Sequence, residues 1–195
     1  MKYKVVRKER IFDEFFIVER AKVKHERFHD NSWNQVKRYN LRRPEAVAIV
    51  LENMSTGNIV MVEQFRYATV NTTGRDGWEL EIVAGLIDKG ETPEQSIIRE
   101  SFEEVGYRVQ SPKHIFTYFA SIGISDEMVH LYYGQVSDQD KVAEGGGLEN
   151  ESEDLAIREI PFPELARMLK NGTIVDAKTI VALQWLALEK IRTVF

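Results

Sequence analysis

Apolar and polar residues alternate along the first 40 positions of the chain, for example around Phe16 and Val18 and then Ala21 and Val23. A period of two is that of a strand with one packed face and one solvated face, so this region predicts strands of an antiparallel sheet. Two further apolar runs, residues 46–51 and 59–64, are separated by the sequence Ser-Thr-Gly-Asn at residues 55–58. These residue types favour a turn, so the two runs predict strands joined by a turn.

The rest of the chain mixes strand-like runs with stretches of helical spacing. Strands are predicted over residues 79–84, 114–120, 128–136 and 155–160, and helices over residues 93–105, 163–171 and 179–191. Mixed strands around an internal helix, with another helix near the C-terminus, are typical of an α+β sandwich. Residues 143–154, AEGGGLENESED, predict a mobile acidic loop.

Composition narrows the class of protein. With 195 residues, 43% of them hydrophobic and 29% charged, the chain fits one globular domain with a small N-terminal extension. A net charge of −5 and a pI near 5.5 give no basic footprint, so no nucleic-acid partner is expected. The lack of cysteine excludes disulfides, thiolate metal sites and a thiol nucleophile. The charged start, MKYKVVRKER, and the lack of a long apolar run predict a cytoplasmic protein with no membrane partner.

The candidate chemistry is concentrated in residues 85–107, GLIDKGETPEQSIIRESFEEVGY. Thr92 suits a helix cap and Pro93 suits the first helical position, so a loop followed by a helix is predicted. On that helix Glu100, Glu103 and Glu104 crowd onto one side of about one turn, where like charges repel unless a cation neutralises them. Clustered carboxylates suit Mg²⁺ or Mn²⁺, and Mg²⁺ bridges carboxylates and substrate phosphates.

A solvated face is the usual role of glutamates on a helix when they stand alone. Here seven residues occur together at fixed offsets: Gly85, Glu91, Arg99, Glu100, Glu103, Glu104 and Gly106. This spacing resembles the Nudix box at all seven invariant positions, which makes the solvated-face interpretation weak. Arg99 lies four residues before Glu103 and is placed to pair with it. Ser101 and Tyr107 stand where the box usually has aliphatic residues, which affects packing more than chemistry.

Beyond the box, residues 36–192 resemble the nucleoside diphosphate sugar branch of the Nudix hydrolases, which includes ADP-ribose and GDP-mannose pyrophosphatases. The resemblance rests on KRYNLRRPEAVAIV, VEQFRYAT, WELEIVAGLID, ASIGISDE, GGGLENESEDL and VDAKTIVALQWL. It implies a Nudix α/β/α sandwich with a mixed sheet and an N-terminal antiparallel sheet. It also implies a homodimer in which residues 1–42 exchange between subunits, next to a Nudix hydrolase domain of residues 43–195.

The reaction implied by the resemblance is Mg²⁺-dependent hydrolysis of a nucleotide-sugar substrate to a nucleoside monophosphate and a sugar 1-phosphate, with Mn²⁺ as an alternative ion. The implied metal ligands are the carbonyl of Ala84 and the carboxylates of Glu100, Glu103 and Glu104. The implied substrate-binding residues are Arg66, Glu81, Lys178 and, from the strand that feeds the partner's site, Arg38 and Arg43. The implied catalytic residues are Glu103, Arg99 and a base on the acidic loop, with Glu153 as first choice and Glu151 as second.

Several of these assignments have plain alternatives. Arg66 would otherwise be a surface charge, and Arg38 and Arg43 also fit a charged strand edge that resists aggregation. The glycines at residues 145–147 fit a lid that closes over substrate or a solvated tract. Trp33 and Trp78 suit core or interface packing better than base stacking. Trp185 suits the core of the C-terminal helix, and the four histidines show no metal or catalytic spacing.

The substrate stays open between GDP-mannose and ADP-ribose. Ile122 stands where many ADP-ribose enzymes carry proline, and the GGG run and VDAKT, with Lys178, lean toward GDP-mannose. The alternative function is a module that senses nucleotide sugars without hydrolysing them, although the intact box argues against it. An isomerase of the isopentenyl diphosphate type usually needs a cysteine, which this chain lacks.

Overall fold

The structure, a computed structural model, describes residues 1–70, 74–148 and 153–192. The chain divides into two compact units, which are described separately. Unit 1 comprises residues 1–45 and 119–128, and unit 2 comprises residues 46–118 and 129–195 as far as they are described.

Unit 1 is a three-stranded antiparallel sheet in the order β1 (Tyr3–Asp13), β2 (Ile17–Glu26) and β3 (Trp33–Arg42). This confirms the antiparallel strands predicted from the period-two pattern. Residues 119–128 join the end of β3, where the Leu41 N–H donates to the Ile124 carbonyl at 2.8 Å. The Ser125 hydroxyl donates in turn to the Leu41 carbonyl at 3.1 Å.

Unit 2 is built on a seven-stranded mixed sheet. Its main path runs in the order β10 (Ala156–Pro161), β5 (Asn58–Phe65), β4 (Ala46–Asn53), β9 (Met128–Val136) and β8 (Lys113–Phe119). Strand β4 is antiparallel to β5 and parallel to β9. Two short strands, β6 (Trp78–Glu81) and β7 (Val83–Leu86), pair antiparallel with β5 and β4 respectively.

The crossing from β6 to β7 shapes the centre of the sheet. Strand β4 pairs with β7 through residues 46–49 and with β5 through residues 51–53, while β5 pairs with β6 through residues 62–65. The segment of residues 78–86 therefore changes its pairing partner from β5 to β4 at Ile82. The prediction of one strand over residues 79–84 was wrong here, because each half pairs with a different neighbour and local sequence does not encode that choice.

Helices cover both faces of this sheet. Helix α2 (Pro93–Val105) packs on one face, α3 (Phe162–Lys170) and α4 (Ala177–Arg192) pack on the other, and a single turn, α1 (Tyr67–Val70), follows β5. These layers confirm the predicted α/β/α sandwich, and the remaining element bounds agree with prediction within two residues. No helix in the described part of the chain combines the length and apolar character needed to cross a membrane.

Strand β4 forms the centre of the core because its two faces enter different apolar clusters. On the α2 side, Val47, Ile49 and Leu51 pack with Ile97. On the other side, Ala48 and Val50 join a cluster that includes Leu165 of α3 and Leu183 of α4, with Trp185 packed against it. A strand buried on both faces is rigid, and it holds β7 and α2 in a fixed relation.

Candidate active site

Helix α2 begins and ends at residues that fix its position. The Thr92 hydroxyl accepts the Gln95 N–H at 3.3 Å, and the Gln95 side chain accepts the Thr92 N–H at 2.8 Å, which completes a capping box. At the other end Gly106 adopts a φ of 71°, and a β-carbon there would lie 2.0 Å from the Ala143 carbonyl oxygen. Both predicted ends are therefore confirmed, and both restrain where the glutamates of α2 lie.

Two of these glutamates, Glu100 and Glu104, are buried between α2 and β7. A β-carbon on Gly85 would lie 2.0 Å from the Glu100 carboxyl group, so only glycine leaves space for that carboxylate. The Ala84 N–H donates to Glu104 Oε2 at 3.2 Å. Residues 84 and 85 thus receive the two carboxylates side by side at the backbone of β7.

Burial without a cation is unfavourable for this pair. It raises the pKa of Glu100 to about 7, where the nearby charges of Glu103 and Glu153 also raise it and Arg99 opposes the rise. The pKa of Glu104 is well above its ordinary value because of burial and then the charge of Glu100. Two carboxylates that repel each other in a buried place match the charge and the oxygen chemistry of a divalent metal ion.

The donor set fits Mg²⁺ or Mn²⁺ but is not a closed cage. Within the described ranges, no three His, Cys, Asp or Glu side chains are arranged to hold a metal ion by themselves. Glu103 is held aside by Arg99 and is partly exposed. An ion at Glu100 and Glu104 would therefore keep coordination positions for backbone carbonyl, water and phosphate oxygens, as Mg²⁺ commonly does.

Arg99 connects the acidic residues of the box. It donates to Glu91, Glu100 and Glu103 at 3.1, 2.8 and 2.8 Å, and to the Leu86 carbonyl at 3.1 Å. The predicted pairing with Glu103 is confirmed. Burial opposes the charge of Arg99, but the hydrogen bonds to Glu91 and Glu103 raise its pKa, so the residue stays cationic. Glu91, to which sequence reasoning gave no role, also accepts the Ser96 hydroxyl at 2.6 Å.

Glu81, Arg66 and Lys178 form an ion-pair chain beside these carboxylates. Arg66 donates to both oxygens of Glu81, at 2.7 and 2.8 Å, and the Lys178 ammonium donates to Glu81 Oε2. Burial alone would raise the pKa of Glu81, but the hydrogen bond from Arg66 and the charge of Lys178 bring it down to about 2. Glu81 is therefore a permanent anion that holds two cations, and Arg66 is not a free surface charge.

Glu153 follows the glycine run of the acidic loop. Its charge contributes, after burial, to the raised pKa values of both Glu100 and Glu104, so it lies near the pair. The Glu153 N–H donates to the Leu148 carbonyl at 3.2 Å. Glu151, the second choice for the base, and Glu149 lie outside the described residues.

The glycine run itself is fastened to α2. The Gly146 N–H donates to the Glu104 carbonyl at 2.8 Å and the Gly147 N–H to the Glu103 carbonyl at 3.1 Å. A β-carbon on Gly145 would lie 2.7 Å from the backbone carbon of Val105. The close approach at Gly145 requires glycine. The described first part of the predicted acidic loop is thus hydrogen-bonded to the end of α2.

Arg38 and Arg43 lie in unit 1 and have partners there. Arg38 is exposed and donates to the Lys37 carbonyl at 3.0 Å. Arg43 lies 3.6 Å from Glu127 and over the ring of Phe15. Their proposed contact with the partner's substrate stays a prediction.

The structure also shows the surroundings of two tryptophans and two histidines. Trp33 and Trp78 are about half exposed, so neither belongs to the core, and Trp78 packs against Phe65. His114 Nε2 and His130 Nδ1 each lie 3.0 Å from the Thr117 hydroxyl.

Sequence reasoning missed Asp176 and Thr179, which flank Lys178. The Asp176 carboxylate accepts the Thr179 N–H at 2.9 Å and the Lys178 ammonium at 3.1 Å. The signal was available in the sequence, since an Asp three residues before a Thr at the start of an apolar helical run is the spacing of a helix N-cap.

Comparison with known proteins finds a family model, relatives and a solved structure that match this chain. Residues 42–191 match the NUDIX domain family. The chain is 37% identical to the GDP-mannose pyrophosphatase of Cronobacter sakazakii over 155 residues, which cover 80% of each chain. It is 35% identical to the GDP-mannose pyrophosphatase of Klebsiella pneumoniae over 157 residues, which cover 80% of this chain and 78% of the relative. The crystal structure of an ADP compounds hydrolase has the same fold, with a TM-score of 0.74 over 99% of this chain and 96% of its own, at 21% identity.

Proposed function

The chain belongs to the Nudix family, and we propose that it is a Mg²⁺-dependent pyrophosphatase of nucleoside diphosphate sugars. The observation that carries the proposal is the buried pair Glu100 and Glu104, received by the glycine and alanine of β7. The two carboxylates suit the binding of a divalent cation. The adjacent side chains of Arg66 and Lys178 are positively charged and suit the binding of an anionic substrate.

GDP-mannose is the lead substrate and ADP-ribose the second. Three relatives named GDP-mannose pyrophosphatase, from Cronobacter, Klebsiella and Salmonella, are 35–37% identical to this chain over at least 77% of its length. Function resides in the site rather than in the fold, so the substrate is assigned from this similarity and from the cations of the site.

In the proposed reaction, Glu100 and Glu104 would hold the metal ion with the carbonyl of Ala84, and Glu103 would stand alongside. A bound Mg²⁺ would neutralise the diphosphate and favour ionisation of water at neutral pH. Glu153 accepts a proton from the attacking water as the water oxygen bonds to phosphorus. The bridging P–O bond breaks, and the leaving phosphate ester carries away its electron pair.

The three residues of the ion-pair chain act on the substrate phosphates, and Arg99 acts on the carboxylates of the metal site. Arg66 and Lys178 present positive charge to the phosphates, and Glu81 orients both by its hydrogen bonds. Arg99 keeps Glu103 and Glu100 in place by its hydrogen bonds to their carboxylates. Electrostatic positioning of this kind supplies much of the rate in phosphate-transfer enzymes.

We extend the proposal to a homodimer in which residues 1–42 exchange between subunits and bring Arg38 and Arg43 to the partner's site. Support comes from β1, whose apolar Val5, Val6, Ile11 and Phe12 are each 40–48% exposed. Exposed apolar surface of this kind marks interaction sites. Light scattering should give twice the chain mass, and a monomer at assay concentration would remove the shared site.

The substrate class is tested by a hydrolysis panel with Mg²⁺ that contains GDP-mannose, ADP-ribose, other nucleotide sugars, diadenosine polyphosphates and nucleoside triphosphates. Products are identified by chromatography. Release of a nucleoside monophosphate with a sugar phosphate is the expected result. A folded protein that binds these compounds and turns over none of them would instead be a sensing module.

A further inference from the structure

A single buried hydroxyl fastens the first turn of α4 to the junction between β6 and β7. Thr179 is fully buried. Its hydroxyl donates to Asp176 Oδ2 at 2.6 Å and accepts the Ile82 N–H at 2.9 Å. The Thr179 side chain thus connects the N-cap of α4 with Ile82, the residue between the strand that pairs with β5 and the strand that pairs with β4.

The Ile82 N–H has a particular need for this acceptor. Ile82 is 1% exposed and lies between the two short strands, so its N–H is outside both of their ladders. A buried donor without an acceptor is costly, because the N–H loses its hydrogen bond to water and gains nothing. An apolar side chain of the same size at position 179 would fill the space and leave that donor unsatisfied.

The neighbours of these two residues are the substrate-facing groups. Lys178 precedes Thr179 and Glu81 precedes Ile82, and Lys178 and Glu81 pair through their side chains. Asp176 links the two neighbouring residues of α4, since its carboxylate accepts both the Thr179 hydroxyl and the Lys178 ammonium. The first turn of α4 is therefore joined to the β6–β7 junction twice. Thr179 accepts the Ile82 N–H, and Lys178 forms an ion pair with Glu81.

We propose that Thr179 is a positioning residue for substrate binding: its hydroxyl sets α4 against the β6–β7 junction, so that Lys178 and Glu81 face each other and Arg66 and Lys178 present their charges to the diphosphate of the substrate. The inference rests on the proposed function. It assigns to a buried hydroxyl an effect on KM that a purely structural core residue would not have.

The test compares Thr179→Val, which keeps the size and removes the hydroxyl, with Thr179→Ser, which keeps the hydroxyl. With GDP-mannose as substrate, Thr179→Val should raise KM about tenfold, the effect of about one lost hydrogen bond, with a smaller change in kcat. Thr179→Ser should keep KM within about twofold of the wild type, because its hydroxyl can make both contacts.

The matched control is Leu183→Val, one turn further along α4. Leu183 is fully buried in the same apolar cluster, and its truncation removes packing but no polar contact. Leu183→Val should lower Tm and leave KM unchanged at a temperature where every variant is folded. An equal rise of KM in Leu183→Val and Thr179→Val would overturn the positioning role, because KM would then follow stability alone.

A double-mutant cycle with Lys178→Met shows whether the effect of Thr179→Val on KM depends on Lys178. If Thr179 acts through Lys178, Thr179→Val should change KM less than about twofold in the Lys178→Met background. A full tenfold effect in that background, or a wild-type KM for Thr179→Val, would overturn the inference.

Two further outcomes are distinguishable. If Thr179→Val does not fold, Thr179→Ala replaces it, since alanine also removes the hydroxyl that accepts the Ile82 N–H and adds no bulk. That variant should raise KM severalfold relative to Thr179→Ser, and an unchanged KM would overturn the inference. Absence of nucleotide-sugar turnover in the wild type would refute the proposed function, whereas a normal wild type with an insensitive Thr179→Val would refute this inference alone.

Discussion

Gly85→Ala changes one methyl group and tests whether Glu100 must lie against β7. Gly85 does not need a left-handed backbone, so alanine adds no backbone strain there. The new β-carbon would lie 2.0 Å from the Glu100 carboxyl carbon and one of its oxygens, where ordinary contact begins at 3.4 Å. The carboxylate must therefore retreat by more than 1 Å or rotate away from Glu104.

The expected loss follows from that displacement. A catalytic group misplaced by about 1 Å costs on the order of 100-fold in rate, which is about 2.7 kcal/mol of barrier. We expect Gly85→Ala to lower kcat by about that factor and to raise the Mg²⁺ concentration needed for half-maximal rate. Tm should fall little or rise, because moving Glu100 relieves repulsion between two buried carboxylates.

The assay is GDP-mannose hydrolysis at varied Mg²⁺ concentration, with Tm measured on the same samples. Gly123→Ala is the matched control, since Gly123 also has an ordinary backbone and no atom of the described residues lies within 4 Å of a new β-carbon. It should keep wild-type rate and stability. A Gly85→Ala variant with wild-type kcat and wild-type Mg²⁺ dependence would refute the reasoning that places Glu100 in the metal site.

Two further predictions concern charge and the glycine run. Burial raises the pKa of Glu100 from 4.5 to about 7. The contribution of Glu100 to the free energy of unfolding of the metal-free protein is therefore highest below pH 4.5, and it falls by on the order of 3 kcal/mol as the pH rises through 7. Denaturant titrations should show that loss, Mg²⁺ should reverse it at pH 8, and a metal-free Glu100→Gln variant that loses as much would contradict the prediction. Gly147→Ala places a β-carbon 2.6 Å from the Glu153 β-carbon at a φ of +84° and should lower kcat by ten- to 100-fold with little change in KM. Gly172→Ala, with a φ of +76° and open space, is its control in steady-state kinetics, and an equal loss of kcat in both would remove the argument for Glu153.

Local signals explain why so much of α2 was predictable. Thr92, Pro93 and Gly106 determine the ends of the helix through hydrogen bonds within a few residues, and the fixed spacing then puts Glu100 and Glu104 on one face. The pairing of Arg99 with Glu103 is likewise a contact across one helical turn.

The parts that sequence missed depend on contacts between distant segments. The break at Ile82 depends on β4 and β5 each pairing with a different short strand. The position of Gly145–147 depends on carbonyls at the end of α2, which a composition of glycine and glutamate does not reveal. Helical spacing predicts only that Thr179 starts a helix, whereas its hydroxyl accepts a hydrogen bond from a residue 97 positions away.

GDP-mannose hydrolysis with Mg²⁺ by the wild type and by Glu104→Gln, with products separated by chromatography, shows whether Glu100 and Glu104 form the metal site. Glutamine keeps the size of the side chain and removes the charge that the metal requires. We predict GMP and mannose 1-phosphate from the wild type, and no turnover from a Glu104→Gln variant that folds with unchanged or higher Tm. Wild-type turnover by that folded variant would contradict the assignment of Glu100 and Glu104 as the metal-binding pair.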